Sequence, residues 1–456
     1  MKIENPKNGA LVAEVPSDTP ASVAAAYERA RRAQPAWAAT PLAERLAAIA
    51  RFRDLVTQHT ADLALTLTRE MGKPVTQAKN ELNALPGRIG FFLKQTEAVL
   101  AEEVVAHVKD GSLDEIIRHE PLGVVANVSA WNYPWFVGSN VFIPALLTGN
   151  TVLYKPSEYA TLTGQRIGEL MLEAGVPADA FVTVVGGGDV GAAVVEQPVD
   201  GVFFTGSYAT GRRIAERVAP RMIRLQLELG GKDPAYVTDD VNVALAAQSL
   251  ADGAMYNAGQ SCCSVERIYV HQAVEEQFLS AFVETVRGFV VGDPEDEATY
   301  IGPLARRQQL DVLDAQVADA VQHGARLLAG GHRAERPGAY FEPTVLAGAT
   351  NQMRVMREES FGPIIGIARV GNDDEAVSAM NDTEYGLTAG VYTRDAARAQ
   401  AILGRVNAGT VYVNCCDRVS PRLPWTGRKH SGIGSTLSTY GIRAFLQPKA
   451  WHQKRG

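Results

Sequence analysis

The sequence predicts an α/β protein with two parallel-sheet domains and a small β-hairpin and tail unit. Chain length is the first observation behind this. At 456 residues the chain exceeds one compact core, and about 150 residues per domain gives two or three. The second observation is alternation. Apolar runs at 124–128, 151–154, 181–185 and 202–204 read as buried strands, with helical patterns such as 164–173 and 212–218 between them. Uninterrupted apolar strands separated by helices make a parallel sheet covered on both faces. After Gly230 the pattern restarts, with a strand at 235–237, a helix over 242–256 and a strand at 267–270. This second set is the second domain.

Two helices precede the strands. Thr19-Pro20 and Thr40-Pro41 each place a capping hydroxyl before a proline at the first helical position. Ala-rich amphipathic runs follow both, and the second continues to Gly72 and Pro74, which stop it. Gly186-Gly187-Gly188-Asp189-Val190-Gly191 has the spacing of a dinucleotide fingerprint. That fingerprint needs an acidic residue about 20 positions on, at the end of the next strand, and Phe204-Thr205-Gly206-Ser207 offers none. An ordinary glycine turn is therefore preferred there. Gly206-Ser207-Tyr208-Ala209-Thr210-Gly211 is the better phosphate loop, because it joins a strand to a helix whose N-terminal N–H groups face an anion.

Composition narrows the function classes. Hydrophobic residues make up 46% and charged residues 21%, as in a globular soluble protein, and the net charge is −7 without a basic block. Nucleic acid and anionic membranes are not expected partners. No apolar run is long enough to span a membrane, and the first residues lack a targeting segment. The four cysteines form two adjacent pairs, Cys262-Cys263 and Cys415-Cys416, without zinc or redox-motif spacing. A reduced, cytoplasmic protein is expected.

The chemistry centres on Cys262, in Asn257-Ala258-Gly259-Gln260-Ser261-Cys262-Cys263. Glu228, in Leu227-Glu228-Leu229-Gly230-Gly231-Lys232, lies 34 residues earlier. A thiol and a carboxylate, each beside flexible backbone, suit a covalent nucleophile and a base for a later step. At this separation the two segments resemble the nucleophile and general-base signatures of the aldehyde dehydrogenase superfamily. Further segments extend the resemblance from about Asn5 to about Lys449. They are Trp131-Asn132-Tyr133-Pro134, Lys155-Pro156-Ser157-Glu158, Glu359-Ser360-Phe361-Gly362-Pro363, Asn381 to Leu387 and Gly409 to Asn414.

The resemblance implies a discontinuous NAD-binding domain over 1–100 and 121–230, and a catalytic domain over 231–425. The segments 101–120 and 440–456 become an oligomerisation arm and tail, implying a homodimer or homotetramer. It further implies that Cys262 attacks an aldehyde, that Asn132 holds the oxyanion, and that Glu228 activates water against the resulting thioester. No metal is called for. Trp131, Lys155, Glu158, Gly206, Ser207, Gly211, Glu359 and Phe361 become the cofactor residues. Glu158 at the ribose position favours NAD, with NADP also admitted, because a carboxylate repels a 2′-phosphate. Cys263 is expected to point away and pack.

Two departures limit what carries over: the first bears on the loop near Asn132, and the second weakens transfer of the substrate. Ala130 stands where many members have Pro, and Pro424-Trp425-Thr426-Gly427 replaces a commoner Pro-Phe-Gly-Gly. No cluster of Arg or Lys marks a site for an acidic semialdehyde, so a medium-sized aliphatic or aromatic aldehyde is expected. Two rivals stay open: a CoA-acylating dehydrogenase, and a non-catalytic nucleotide-binding member of the fold.

Overall fold

The computed structural model describes residues 1–108 and 112–454. Strands Val124–Val128, Thr151–Lys155, Phe181–Thr183, Gly201–Thr205 and Arg224–Glu228 form the first sheet, all pairing in parallel. Their side chains alternate between two cores. Val125, Val152 and Phe203 join one apolar cluster, and Val124, Ala126, Leu153 and Val202 the other. Burial on both faces is why these strands read as continuous apolar runs.

Strand Val124–Val128 lies in the middle. The chain steps outward from it through Thr151–Lys155 to Phe181–Thr183, then returns to place Gly201–Thr205 on its other side. The order therefore reverses between Val124–Val128 and Gly201–Thr205. Ligand crevices of open α/β sheets form at such a reversal, beyond the carboxyl ends of the strands.

The second sheet has seven strands. Asp233–Val237, Val265–His271, Thr344–Ala347, Ile364–Val370, Thr388–Tyr392 and Thr410–Val413 are parallel, and Arg326–Ala329 is an antiparallel edge. The first sheet has an antiparallel edge too. Gly432–Ile433 returns from the C-terminal region to pair with Arg224–Glu228, setting Gly432 opposite Glu228. Neither sheet is thus purely parallel. A third sheet is antiparallel: Leu113–Pro121 lies between Glu103–Val108 and the tail strand Leu446–Lys454. Residues 109–111 of the expected arm and 455–456 of the tail lie outside the described residues.

Most early signals hold. Thr19 caps helix Pro20–Ala39 in a reciprocal capping box with Ser22, and Gly72 ends helix Thr60–Met71 at φ +87°. Thr40 acts differently from expectation. It closes the preceding helix, its hydroxyl donating to the Ala36 carbonyl, and helix Leu42–Gln58 starts without a side-chain cap. The next helix begins at Thr60, so the long amphipathic run is two helices. Among the described residues, no helix is long and apolar enough to cross a membrane.

Candidate active site

Cys262, Asn132 and Glu228 line one cavity of about 800 Å³, although each comes from a different part of the chain. Asn132 follows the central strand of the first sheet. Its start-of-helix neighbourhood is fixed from outside: Glu81 accepts from the Trp135 and Phe136 N–H groups at 3.0 and 3.3 Å. An external carboxylate here satisfies donors that helix Pro134–Leu147 leaves orphaned. Glu81 is itself held by Lys73 at 2.5 Å, with both side chains fully buried. The Lys73 ammonium also lies 3.8 Å from the Tyr133 ring centroid. Asn132 Nδ2 donates to the Gln260 carbonyl at 3.2 Å, tying this loop to the segment before Cys262. That amide nitrogen carries a second hydrogen for a developing oxyanion.

The loop before Cys262 is tightly wound. Asn257, Ala258 and Gly259 are successive left-handed residues, with φ of +53°, +53° and +69°. A Cβ at Gly259 would stand 2.2 Å from the Gly362 carbonyl oxygen, so only glycine fits. Non-glycine residues in this region carry strain that the surroundings must hold. Here the Asn257 N–H donates to Gln77 Oε1 at 2.9 Å and the Gln260 side chain accepts from the Ala305 N–H at 2.9 Å. Cys262 is partly exposed and Cys263 buried.

Cys263 packs, as expected, but it is also bonded. Its thiol donates to Asp417 at 3.0 Å. The adjoining Cys262 thiol and burial push the Cys263 thiol well up, so it stays protonated. Burial also raises the Asp417 carboxyl to about 7. Cys416 lines the same cavity and donates to the Ser249 carbonyl at 3.3 Å, whereas Cys415 is not among the lining residues.

Glu228 ends its strand. Burial raises its carboxyl to about 7, opposed by a hydrogen bond from the Thr436 hydroxyl and by the charge of Arg88. A base poised near neutrality suits activation of water. Thr436 reaches Glu228 because the unusual C-terminal segment folds back, with Trp425 bridging to Thr436 and lining the cavity.

A second cavity of about 840 Å³ runs along the carboxyl ends of the first sheet. Trp131, Lys155, Glu158, Gly206 and Ser207 line it together. Lys155 is almost fully buried and reaches Glu158 only at 3.4 Å. Ser207 caps helix Tyr208–Val218, so the N-terminus of that helix opens on the cavity as the sequence suggests. Gly188 and Gly191, from the turn read as ordinary, also line this wall, and an added Cβ at Gly188 would meet open space.

Gly211 departs from the expectation. It is buried and absent from the lining, and a Cβ there would lie 2.5 Å from Leu229 Cδ2. Its glycine serves helix packing. Phe361 and Glu359 are not among the lining residues of this cavity. Phe361 packs edge-on against Trp131 at 5.5 Å, and Glu359 accepts from the Gly231 N–H at 3.0 Å. A Cβ at Gly230 would lie 2.4 Å from the Glu359 carboxylate, and one at Gly231 would lie 2.7 Å from the Cys262 carbonyl oxygen. Gly230 and Gly231 thus let the Glu359 and Cys262 loops close around the end of the Glu228 strand.

Sequence reasoning missed four supports. Lys232 and Glu266 form a buried pair at 2.6 Å, and Glu266 accepts the Ser360 and Phe361 N–H groups at 2.9 and 3.0 Å. Thr436 and Asp417 carry no local signal. Arg88 did carry one: a charged residue among Leu85, Ile89 and Phe92 on the apolar face of helix Val75–Leu100.

The family model for the aldehyde dehydrogenase family matches residues 1–451. The chain belongs to that family. A Mycolicibacterium smegmatis protein provisionally named succinate-semialdehyde dehydrogenase (NADP+) is 38% identical over 453 residues, 98% of this chain and 87% of its own. A betaine aldehyde dehydrogenase of Cereibacter sphaeroides is 34% identical over 447 residues, 98% of this chain and 92% of its own. The crystal structure of an NAD-dependent aldehyde dehydrogenase from Sinorhizobium meliloti matches with a TM-score of 0.96 at 34% identity, covering 99% of this chain and 91% of that one. This family member is an oxidoreductase that oxidises aldehydes with a nicotinamide cofactor.

Proposed function

We propose that the protein oxidises an aldehyde to the carboxylic acid with NAD(P), using Cys262 as nucleophile, Asn132 as oxyanion donor and Glu228 as hydrolytic base. The observation that carries this reading is the convergence of the three side chains on one cavity. The cofactor cavity fits its role: a buried cation, a carboxylate and a helix N-terminus line it at the sheet's point of reversal. Lys155, Glu158, Gly206 and Ser207 would hold the adenosine end, with Trp131, Phe361 and Glu359 towards the nicotinamide. When bound, the nicotinamide supplies the hydride acceptor.

The remaining steps belong to the chain. The Cys262 thiolate adds to the aldehyde carbon, and the spare hydrogen on Asn132 Nδ2 receives the oxyanion. Loss of hydride leaves a thioester on Cys262. Glu228, ionised above about pH 7, takes a proton from water, and the water attacks the thioester. The released acid frees the Cys262 thiolate for another round.

Glu228 favours water over CoA as the acyl acceptor, since a base is needed only for the weaker nucleophile. Free thiols in the catalytic cavity suit a reducing, cytoplasmic setting. The three-stranded arm, with Val104 and Val105 exposed, suits a homodimer or homotetramer.

Three variants and an aldehyde panel test the reading. The parent should form NAD(P)H and free acid, and Cys262→Ala neither. Asn132→Ala should slow acylation, and Glu228→Gln should retain a first-turnover burst but stall at the thioester. Acyl-CoA formation that outpaces hydrolysis when CoA is added would overturn the hydrolytic assignment. Full turnover by Cys262→Ala would overturn the covalent one.

A further inference from the structure

The catalytic cavity contains three arginines that the sequence does not bring together: Arg88, Arg418 and Arg422. Arg88 is 5% exposed. Its Nη1 donates to Asn140 Oδ1 at 2.8 Å, and its guanidinium lies 4.1 Å from the Phe136 ring centroid. Asn140 and Phe136 line the same cavity. Among the described residues, Nε and Nη2 of Arg88 donate to no acceptor, and neither is sealed inside protein. A charged group so deeply buried, with open N–H groups towards a cavity, needs an acceptor there.

The acids around the cavity do not supply it. Glu81 is taken by Lys73 and two backbone N–H groups. Asp252 accepts from the Tyr300 hydroxyl, Asp417 from Cys263, and Glu228 from Thr436. Arg418 and Arg422 are exposed at the rim and pair with no acid among the described residues. Donors without acceptors therefore run from rim to interior, while every acid in the cavity has a donor. Glu81 and Glu228 act on Arg88 through their charge alone, without a hydrogen bond to its guanidinium.

We propose that the substrate carries a carboxylate at the end remote from its aldehyde, and that Arg88 receives it through its free N–H groups. Arg418 and Arg422 draw the anion to the mouth. The sequence-based preference for an apolar aldehyde gives way, because a buried fork of N–H donors gains nothing from an apolar tail and matches a carboxylate bidentately. The relatives' names leave the choice open: a succinate semialdehyde is an anion and a betaine aldehyde a cation. The proposal rests on the aldehyde-oxidising reading above.

Its test uses three probes: succinate semialdehyde, its methyl ester and betaine aldehyde, each followed by NAD(P)H formation. The parent should prefer the carboxylate over the ester by roughly 10- to 100-fold in kcat/KM, the range of a charge-assisted hydrogen bond or two. Arg88→Met should erase that preference mainly through KM, and Arg88→Lys should restore part of it. A parent that prefers the ester or betaine aldehyde would overturn the proposal, whether or not the variants fold. So would an Arg88→Met variant that slows all three alike with the pH profile moved upward, which would make Arg88 a support for Glu228. If protein that binds NAD(P) neither oxidises any probe nor is acylated at Cys262, the fault lies with the aldehyde-oxidising reading itself.

Discussion

Replacing Thr436 with valine isolates what sets the titration of Glu228, the proposed hydrolytic base. Thr436 is buried, and its hydroxyl donates to a Glu228 carboxylate whose titration lies at about 7. Valine keeps the shape and removes the donor. A hydrogen bond to a charged group is worth about 1.5–3 kcal/mol, and about 1.4 kcal/mol moves a titration by one pH unit. The donor stabilises the charged form, so its loss moves the Glu228 midpoint upward by roughly one to two pH units. At pH 7 about half of the carboxylates are ionised in the parent. In the variant that share falls to between about a tenth and a hundredth, slowing thioester hydrolysis roughly 5- to 50-fold. The assay is steady-state kcat against pH beside a rapid-mixing measurement of the first turnover. The rising limb of kcat should move to higher pH while the first-turnover amplitude stays. A limb that stays in place would refute Glu228 as the titrating base. Equal loss of the first turnover would show that Thr436 acts before hydrolysis.

Two further outcomes follow from the geometry around Cys262 and Asn132. Gly259→Ala forces a left-handed alanine, costing about 1 kcal/mol or more, and drives its Cβ to 2.2 Å from the Gly362 carbonyl oxygen. Thermal unfolding should occur earlier and Cys262 acylation should collapse; an unchanged melt and rate would mean the loop is free to rearrange. Lys73→Met strands the buried Glu81 carboxylate and should cost about 3–5 kcal/mol of stability. Chemical denaturation measures it, and Lys73→Met, Glu81→Gln together should recover much of the loss, because no buried charge is then left alone.

Local rules made much of the fold legible. Strand Val124–Val128 was readable because both faces are buried, and Thr19-Pro20 and Gly72 act by backbone chemistry within a few residues. Cys262, Glu228 and Asn132 were legible because each sits in a segment whose residue order resembles a family signature. Thr40 failed as a cap because the preceding helix used its hydroxyl first. Gly211 is not among the residues that line the second cavity, and Leu229 occupies the space where a side chain at that position would go.

The sequence by itself determined the alternation of strands and helices, the segments that hold Cys262, Glu228 and Asn132, and the joining of the Gly206-Ser207 turn to a strand end. All of these depend on residue types at short separations. Only the tertiary structure decided what surrounds the chemistry. Glu81 caps the helix after Asn132 from a different helix, Thr436 tunes Glu228 from 208 residues away, and Arg88, Arg418 and Arg422 meet in one cavity. Those relations have no period and no spacing. They arise because burial closes distant segments around a common space, where an isolated charge must find a partner or wait for a ligand.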